Sequence, residues 1–150
     1  MISFTAYGTP APKGSTKAFF RPGMRFPIVT EDNKHTRPWA AIVKDAARQA
    51  IHDQSIPFAG GPVFVSIHFH MPRPKSLPRR ITAHTKKPDL DKLVRAVKDA
   101  LTGILWTDDS QVVTLTAHKS YIPDGLMPCA IISVEESGSH EMKPVGGLCL

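Results

Sequence analysis

The sequence has little cysteine and no long apolar run. Its 150 residues include two cysteines, Cys129 and Cys149, which supply neither a disulfide framework nor the ligand spacing of a metal site. We therefore expect the reducing environment of a cytoplasm. The N-terminus lacks the basic region and apolar stretch of a signal peptide, and no apolar segment is long enough to cross a bilayer. A membrane partner is therefore not expected.

Acidic residues are scarce where the basic residues are concentrated. The formal net charge is +6, from 19 Lys and Arg against 13 Asp and Glu, which favours a polyanionic partner and most simply nucleic acid. Most of the basic residues expected to contact DNA lie in two loops, 8–34 and 72–88, and the second loop contains no acidic residue. The predicted contacts are Lys13, Lys17, Arg21, Arg25, Arg73, Lys75, Arg79, Arg80, Lys86, Lys87 and, outside the loops, Lys98. Phe19 and Phe20 are expected to pack the first loop down rather than to enter DNA.

Hydrophobic periodicity predicts the order β, α, β, α, β, β. Thr36 is a candidate N-cap for the first helix, and Gly103 ends the second. The first loop has room for one short hairpin. This order predicts a single α+β domain with a mixed β-sheet packed by two main helices, over residues 1–136, followed by a flexible tail at 137–150. The predicted strands are 2–7, 63–71, 111–121 and 128–135, and the predicted helices are 36–54 and 90–102.

Aspartates are placed at both ends of the second predicted helix. Asp89 precedes its first apolar residue, which is an N-cap position, and Asp91 lies in its first turn. Asp108 and Asp109 lie in the turn before the next strand. If that strand returns alongside the helix, its entrance approaches the two earlier acids.

The second helix also has a polar side that carries both charges. At 3.6 residues per turn, Asp91, Arg95 and Lys98 share one side, next to an apolar stripe, whereas Asp99 is expected to face elsewhere. Trp106, beside the acidic turn, belongs either to the core or to a dimer interface. The apolar stripe consists of Leu90, Leu93, Val94, Val97 and Leu101.

Several carboxylates in a basic protein suggest a divalent cation that faces a phosphate. Mg²⁺ prefers hard oxygen ligands, and it can polarise a phosphodiester and lower the pKa of an attacking water. Without the metal, crowded carboxylates should have raised pKa values. An N-cap aspartate and an Asp-Asp turn are also ordinary structural features, so a purely structural interpretation stays open.

Residues 87–103 and 106–113 resemble the RusA-type Holliday junction resolvases, small endonucleases of bacteria and their prophages. The shared pattern is an Asp-x-Asp, a helix ending in Asp-Ala-Leu, and then Asp-Asp-x-Gln-Val-Val. The run Gly8–Ser15 and the strand end at His70–Pro72 are similar too. The resemblance covers most of the chain up to about Glu135 and does not cover the tail. It implies a RusA-like fold and a cytoplasmic, Mg²⁺-dependent homodimer, with Mn²⁺ as a substitute ion. Such a dimer would resolve four-way DNA junctions by paired symmetric nicks, in DNA recombination and repair, with no small-molecule substrate. A prophage origin is suggested by the resemblance alone.

The resemblance also implies roles for individual residues. The metal-binding carboxylates correspond to Asp89, Asp91 and Asp109, with Asp108 as a supporting or alternative ligand. The family's essential lysine, one helical turn after the second aspartate, is replaced by Arg95, which keeps the charge but cannot release a proton. The predicted catalytic residues are therefore Asp89, Asp91, Asp109 and Arg95, and Lys98 is an alternative cation.

Three other interpretations are less favoured by the sequence. The chain could be a non-catalytic junction-binding or DNA-binding protein, which would be indifferent to Mg²⁺. An Asp-x-Asp could hold metal and diphosphate in a sugar-nucleotide transferase, although no nucleotide-binding βαβ unit is evident. His68 and His70 lie on one strand face and could suggest zinc, but no further ligand has suitable spacing, so a polar strand face is favoured.

Overall fold

The computed structural model describes residues 1–14, 16–31, 33–56 and 59–137, with the backbone alone at 16, 17, 30 and 31. The predicted tail, apart from Ser137, lies outside the described residues, so its flexibility and the domain boundary at 136 stay predictions. Two helices and two sheets confirm the predicted α+β class and the short hairpin in the first loop. The elements are β1 (Ile2–Tyr7), β2 (Thr16–Phe19), β3 (Ile28–Glu31), α1 (Thr36–Gln54), β4 (Val63–Met71), α2 (Leu90–Leu101), a 3₁₀ turn (Asp109–Gln111), β5 (Val112–Tyr121) and β6 (Cys129–Glu136).

The main sheet is mixed, as predicted, with the strand order β1-β6-β4-β5. β6 pairs antiparallel with both β1 and β4, whereas β4 and β5 are parallel neighbours. Parallel neighbours need a crossover connection, and the second loop together with α2 provides it. β4, α2 and β5 therefore form a β-α-β unit. The sequence pattern did not reveal it, because the long second loop separates β4 from α2. β2 and β3 form a separate two-stranded sheet.

The core lies between the two helices and one face of the sheet. Alternate residues of β4 point inward, and Val63, Ile67 and Phe69 are fully buried. The predicted apolar stripe of α2 is confirmed, since Leu93, Val97 and Leu101 are also fully buried. Burial of side chains of this size contributes about 1.5–3 kcal/mol each, so this face of α2 is fixed against the sheet and its polar side is left for solvent.

The helix boundaries agree with the prediction to within one residue. α1 has His35 as its N-cap, and Thr36 is its first residue. The Asn33 side chain accepts from the His35 backbone N–H at 2.9 Å, and the Thr36 hydroxyl donates to the Pro12 carbonyl at 2.8 Å. The Thr36 hydroxyl is therefore used to hold the first loop rather than to cap the helix. Among the described residues, no helix is both long and apolar enough to span a membrane.

Candidate active site

A cleft of about 730 Å³ lies between the polar side of α2 and the edge strand β5. Asp91, Arg95 and Lys98 line it from α2, and Asp109 lines it from the turn that leads into β5. The strand therefore does return alongside the helix, and the predicted shared side of α2 is confirmed. The floor is apolar and is formed by Leu90, Val94, Val112, Leu115 and Ala117.

Asp99 was expected to face away from this side, and that expectation is wrong. Asp99 lines the same cleft and forms an ion pair with the Lys13 ammonium. The Lys13 backbone N–H also donates to the Lys92 carbonyl at 3.0 Å. These two contacts fasten the first loop to α2, beside the cleft.

Asp109 is held firmly by its neighbours. Its Oδ1 lies 2.7 Å from the Thr102 hydroxyl and 3.2 Å from the indole Nε1 of Trp106, and its Oδ2 lies 3.5 Å from the Lys98 ammonium. Trp106 is fully buried within the chain itself, so it belongs to the core. The hydrogen bond from its indole N–H therefore fixes the Asp109 carboxylate relative to the core.

The electrostatic setting of Asp109 differs from the one expected of crowded carboxylates. Burial by itself raises the pKa of Asp109, but hydrogen bonds from Thr102 and Trp106 and the Lys98 charge outweigh it and lower that pKa below its ordinary value. The predicted increase is therefore wrong for Asp109, because a cation and two donors surround it instead of other acids. The pKa of Asp108 is likewise lowered, by hydrogen bonds from Ser110.

Asp89 and Asp91 lie at the other end of α2 and are exposed. Asp89 is the N-cap, as predicted, but its side chain makes no capping hydrogen bond. Within the described part of the chain, neither carboxylate has a hydrogen-bond or ion-pair partner. Asp91 lines the cleft, whereas Asp89 lines an adjoining hollow of about 770 Å³ together with Lys87 and Lys92.

The predicted metal ligands are therefore distributed along α2 rather than gathered at one point. Asp91 and Lys98 are seven positions apart, which corresponds to about 10 Å along the helix axis, and Asp109 contacts Lys98. Among the residues that the structure describes, no three His, Cys, Asp or Glu side chains are placed to share a metal ion. The assignment of Asp89, Asp91 and Asp109 to one ion stays a prediction.

Asp108 is occupied in shaping the acidic turn. Its side chain accepts from the Ser110 backbone N–H at 2.8 Å, and the Gln111 side chain accepts from the Asp108 backbone N–H at 3.0 Å, which forms a capping box. Gln111 also donates to the carbonyls of Ala59 and Gly61. Asp108 thus fixes the turn that presents Asp109, and its role as a metal ligand stays a prediction.

Lys119 is a residue that the sequence reasoning missed. From β5, its ammonium donates to the carbonyls of Lys86 and Pro88, at 2.8 and 2.7 Å, and Pro88 directly precedes Asp89. The signal was present in the alternation of β5. Lys119 pairs with the buried Phe69 and lies on the same face of β5 as Leu115 and Ala117, which line the cleft, so it stands where the alternation otherwise places apolar residues.

The predicted DNA-contacting residues divide into two groups. The Arg73 guanidinium makes its contacts within the protein. It donates to the carbonyls of Arg79 and Ile81 and lies 3.5 Å from Asp124. Lys13, Arg79 and Lys98 each pair with an aspartate. The side chain of Lys17 lies outside the described residues. The group that is exposed and has no ion pair in the described structure consists of Arg21, Arg25, Lys75, Arg80, Lys86 and Lys87.

The hairpin formed by β2 and β3 presents aromatic side chains to solvent. Phe20 is 70% exposed and Phe26 is 76% exposed, and Phe19 is 41% exposed. The expectation that Phe19 and Phe20 pack the loop down is therefore wrong, because the hairpin forms its own small sheet instead of folding onto the core. Residues 1–30 contain no acidic residue, and Arg21 and Arg25, which lie between or beside these rings in the sequence, are also exposed.

The histidines of β4 lie on the outer face of the sheet. His68 and His70 stack with ring centroids 4.1 Å apart, and His118 of β5 lies 5.9 Å from His68. The Ser120 hydroxyl is 2.8 Å from the His68 Nε2. Burial lowers the pKa of His68, and the two neighbouring imidazoles lower it further. This face is a polar network on the side of the sheet opposite the cleft.

Comparison with known proteins covers most of the chain. The family model described as endodeoxyribonuclease RusA matches residues 9–127. An uncharacterized protein of Bacillus subtilis (strain 168), YqaN, is 32% identical over 133 residues, which cover 80% of this chain and 87% of YqaN. The matched range of the family model contains the first loop, both helices, the cleft and Lys119.

Proposed function

Because the chain belongs to the RusA endodeoxyribonuclease family, we propose that it resolves four-way (Holliday) DNA junctions by paired symmetric phosphodiester hydrolysis. One observation carries this proposal, namely the cleft that holds Asp91 and Asp109 together with Arg95 and Lys98. Phosphodiester hydrolysis needs both kinds of charge, carboxylates for a divalent cation and cations for the phosphate. The cytoplasmic location and the prophage origin stay predictions.

The donor chemistry of the cleft fits Mg²⁺, with Mn²⁺ as a substitute. Mg²⁺ is commonly held by one or two carboxylates, substrate phosphate and water, and Asp91 has an unoccupied carboxylate at the cleft. Asp89 and Asp109 would join it as further ligands. A bound ion would supply polarisation of the phosphodiester and acidification of water.

The surrounding side chains have separate tasks in this proposal. Arg95 is exposed on the cleft side of α2, and its planar guanidinium suits a phosphate oxygen pair. Trp106 and Thr102 hold Asp109 in place. Lys98 forms an ion pair with Asp109 and would be available to a phosphate oxygen if Asp109 held a divalent cation.

The unpaired basic residues of the two loops would bind the DNA backbone. Such contacts position the duplex without reading its sequence, so affinity should fall steeply as salt rises. The exposed rings of Phe20 and Phe26 lie among Arg21 and Arg25, a combination suited to unpaired bases and their phosphates. In this proposal, the rings would contact bases at the centre of an opened junction.

A homodimer fits the symmetry of the proposed substrate. A four-way junction offers two equivalent strands, and a twofold dimer can present one cleft to each of them. Paired symmetric nicks follow from this arrangement.

A second candidate is a junction-binding protein without catalysis. Two observations favour it, namely the engagement of Asp109 by three partners and the presence of Arg95 where the family has a lysine. In that case the carboxylates would serve only the local structure.

The two candidates are separated by incubating the protein with a synthetic four-way junction, with and without Mg²⁺. We expect paired symmetric nicks that require metal and that fall by at least about a hundredfold in Asp91→Asn, since this change removes a proposed metal ligand. Asp45→Asn, on the exposed side of α1, is the matched control and should cleave normally. Junction binding without metal-dependent cleavage would overturn the nuclease proposal in favour of the binding protein.

A further inference from the structure

Lys119 connects the edge strand β5 to the segment that carries Asp89. Its ammonium lies 2.8 Å from the Lys86 carbonyl and 2.7 Å from the Pro88 carbonyl. These bonds cross more than thirty positions of sequence, and they fix the chain immediately before the N-cap of α2. We infer that Lys119 is a positioning residue that sets the Asp89 carboxylate for a divalent cation, an inference that rests on the proposed function.

The approach of this segment to β5 is built from several contacts. The Tyr121 backbone N–H donates to the Thr82 carbonyl at 2.8 Å, and Ala83 forms an isolated bridge with Ser120. The second loop therefore runs along the free edge of β5 before it reaches Asp89. Lys119 extends this attachment by two further bonds, at the point where no backbone pairing with β5 is present in the described residues.

The Lys119 charge is not neutralised by a carboxylate within the described structure. On the loop side, the His84 ring is tilted at 56° against the Tyr121 ring, with centroids 4.6 Å apart. The pKa of His84 is lowered, first by burial and then by the Lys119 charge. An ammonium has three donors, and two are used on carbonyls.

A positioning role differs from a purely structural one in what it changes. Groups that orient metal ligands typically alter metal affinity or activity by about 10–100-fold when they are removed. Removal of a residue that has only a structural role would lower the melting temperature and leave the metal affinity of the folded protein unchanged. The sharp measurement is therefore metal affinity, made on protein that is shown to be folded.

The experiment is a Mn²⁺ titration of the DNA-free protein, followed by electron paramagnetic resonance of the unbound ion. Lys119→Met removes the ammonium and keeps the apolar stem, and Lys119→Arg restores a cation with several donors. Lys44→Met, at a half-buried position of α1, is the matched control. We expect Kd for Mn²⁺ to rise at least about tenfold in Lys119→Met, to return to within about threefold in Lys119→Arg, and to stay constant in Lys44→Met.

The same variants are assayed for junction cleavage over a range of Mg²⁺ concentrations. The half-maximal Mg²⁺ concentration should rise in Lys119→Met, while the maximal rate should recover largely at high Mg²⁺.

An unchanged Kd for Mn²⁺ in folded Lys119→Met would overturn the inference and leave the proposed function intact. A weakened Kd without cleavage by any variant would support the inference and refute the nuclease function. No Mn²⁺ binding by the unaltered protein would overturn both. If Lys119→Met does not fold, Lys119→Arg decides, because a Kd more than tenfold above that of the unaltered protein would then contradict rescue by a cation.

Discussion

The two ends of α2 carry carboxylates in opposite circumstances. At the first end, Asp89 and Asp91 are exposed, and their side chains have no partner among the described residues. At the second end, Asp109 is held by Thr102, Trp106 and Lys98. One end therefore has its hydrogen-bonding capacity free for a ligand, and the other has used it within the protein.

This difference shows how one helix can serve both binding and stability. Acids near a helix N-terminus are favoured by the partial positive charge there, so Asp89 and Asp91 are tolerated without a hydrogen-bond or ion-pair partner among the described residues. A carboxylate at the opposite end lacks that support, because the helix C-terminus carries partial negative charge. The bonds from Thr102 and Trp106 and the Lys98 charge compensate for it at Asp109.

The largest expected effect that separates the two ends is on stability. Asp109→Ala removes the acceptor of the buried Trp106 indole N–H. The Thr102 hydroxyl still has an acceptor in this variant, because it also lies 2.9 Å from the Lys98 carbonyl. An unsatisfied buried donor costs about 1–3 kcal/mol, so the free energy of unfolding should fall by that amount. Asp91→Ala, at an exposed position, should change it by less than about 0.5 kcal/mol.

Urea denaturation of the two alanine variants and the unaltered protein measures this difference. A double-mutant cycle with Trp106→Phe sharpens the test, because the loss caused by Asp109→Ala should be smaller when the indole donor is already absent. Equal destabilisation by Asp91→Ala and Asp109→Ala would show that the two ends are alike, and the contrast drawn here would be wrong.

A smaller effect is expected on metal affinity. Lys98→Met frees Asp109 from a nearby cation, and partly exposed ion pairs of this kind contribute about 0.2–1 kcal/mol. Kd for Mn²⁺ should therefore fall by about two- to fivefold. Arg95→Met is the matched control, since Arg95 has no ion pair in the described part of the chain. Its replacement frees no carboxylate, so Kd for Mn²⁺ should not fall in this variant.

The outcome for Lys98→Met can be contradicted directly. Weaker Mn²⁺ binding in this variant would mean that the Lys98 ammonium helps to hold the metal site in place and does not compete with the metal ion for Asp109. The second end of α2 would then already be arranged for a ligand, as the first end is.

Much of the fold could be predicted from residues that repeat with a simple period. Leu93, Val97 and Leu101 define the buried side of α2, and the alternation in β4 defines its inward face. Both signals are local, because each depends only on neighbours along the same element. The polar side of α2 followed from the same periodicity, and so did the expectation that Asp91 and Lys98 lie together.

The contacts that hold the site could not be predicted in this way. Trp106 with Asp109, Lys13 with Asp99 and Lys119 with Pro88 depend on how separate elements meet in space. Hydrophobic periodicity says which face of an element is buried, but not which polar group of another element lies beside it. The exposed phenylalanines of the hairpin failed for a related reason, since their burial depends on whether the hairpin packs against the core.

The smallest expected effect concerns the acid dependence of stability. The pKa of Asp109 in the folded protein lies below its ordinary value of 3.8, so the ionised carboxylate stabilises the fold. This contribution is fully present above pH 3.8 and is lost as the pH falls through the lowered pKa of the folded state. Because the Asp109 side chain is 42% exposed, solvent screening should keep the contribution below about 1 kcal/mol. Urea denaturation of the unaltered protein and of Asp109→Asn between pH 6 and pH 3 should therefore give a stability difference that is constant at first and shrinks below pH 3.8. A difference that grows on acidification would mean that Asp109 is easier to protonate in the folded state, and the second end of α2 would then resemble a site of crowded acids.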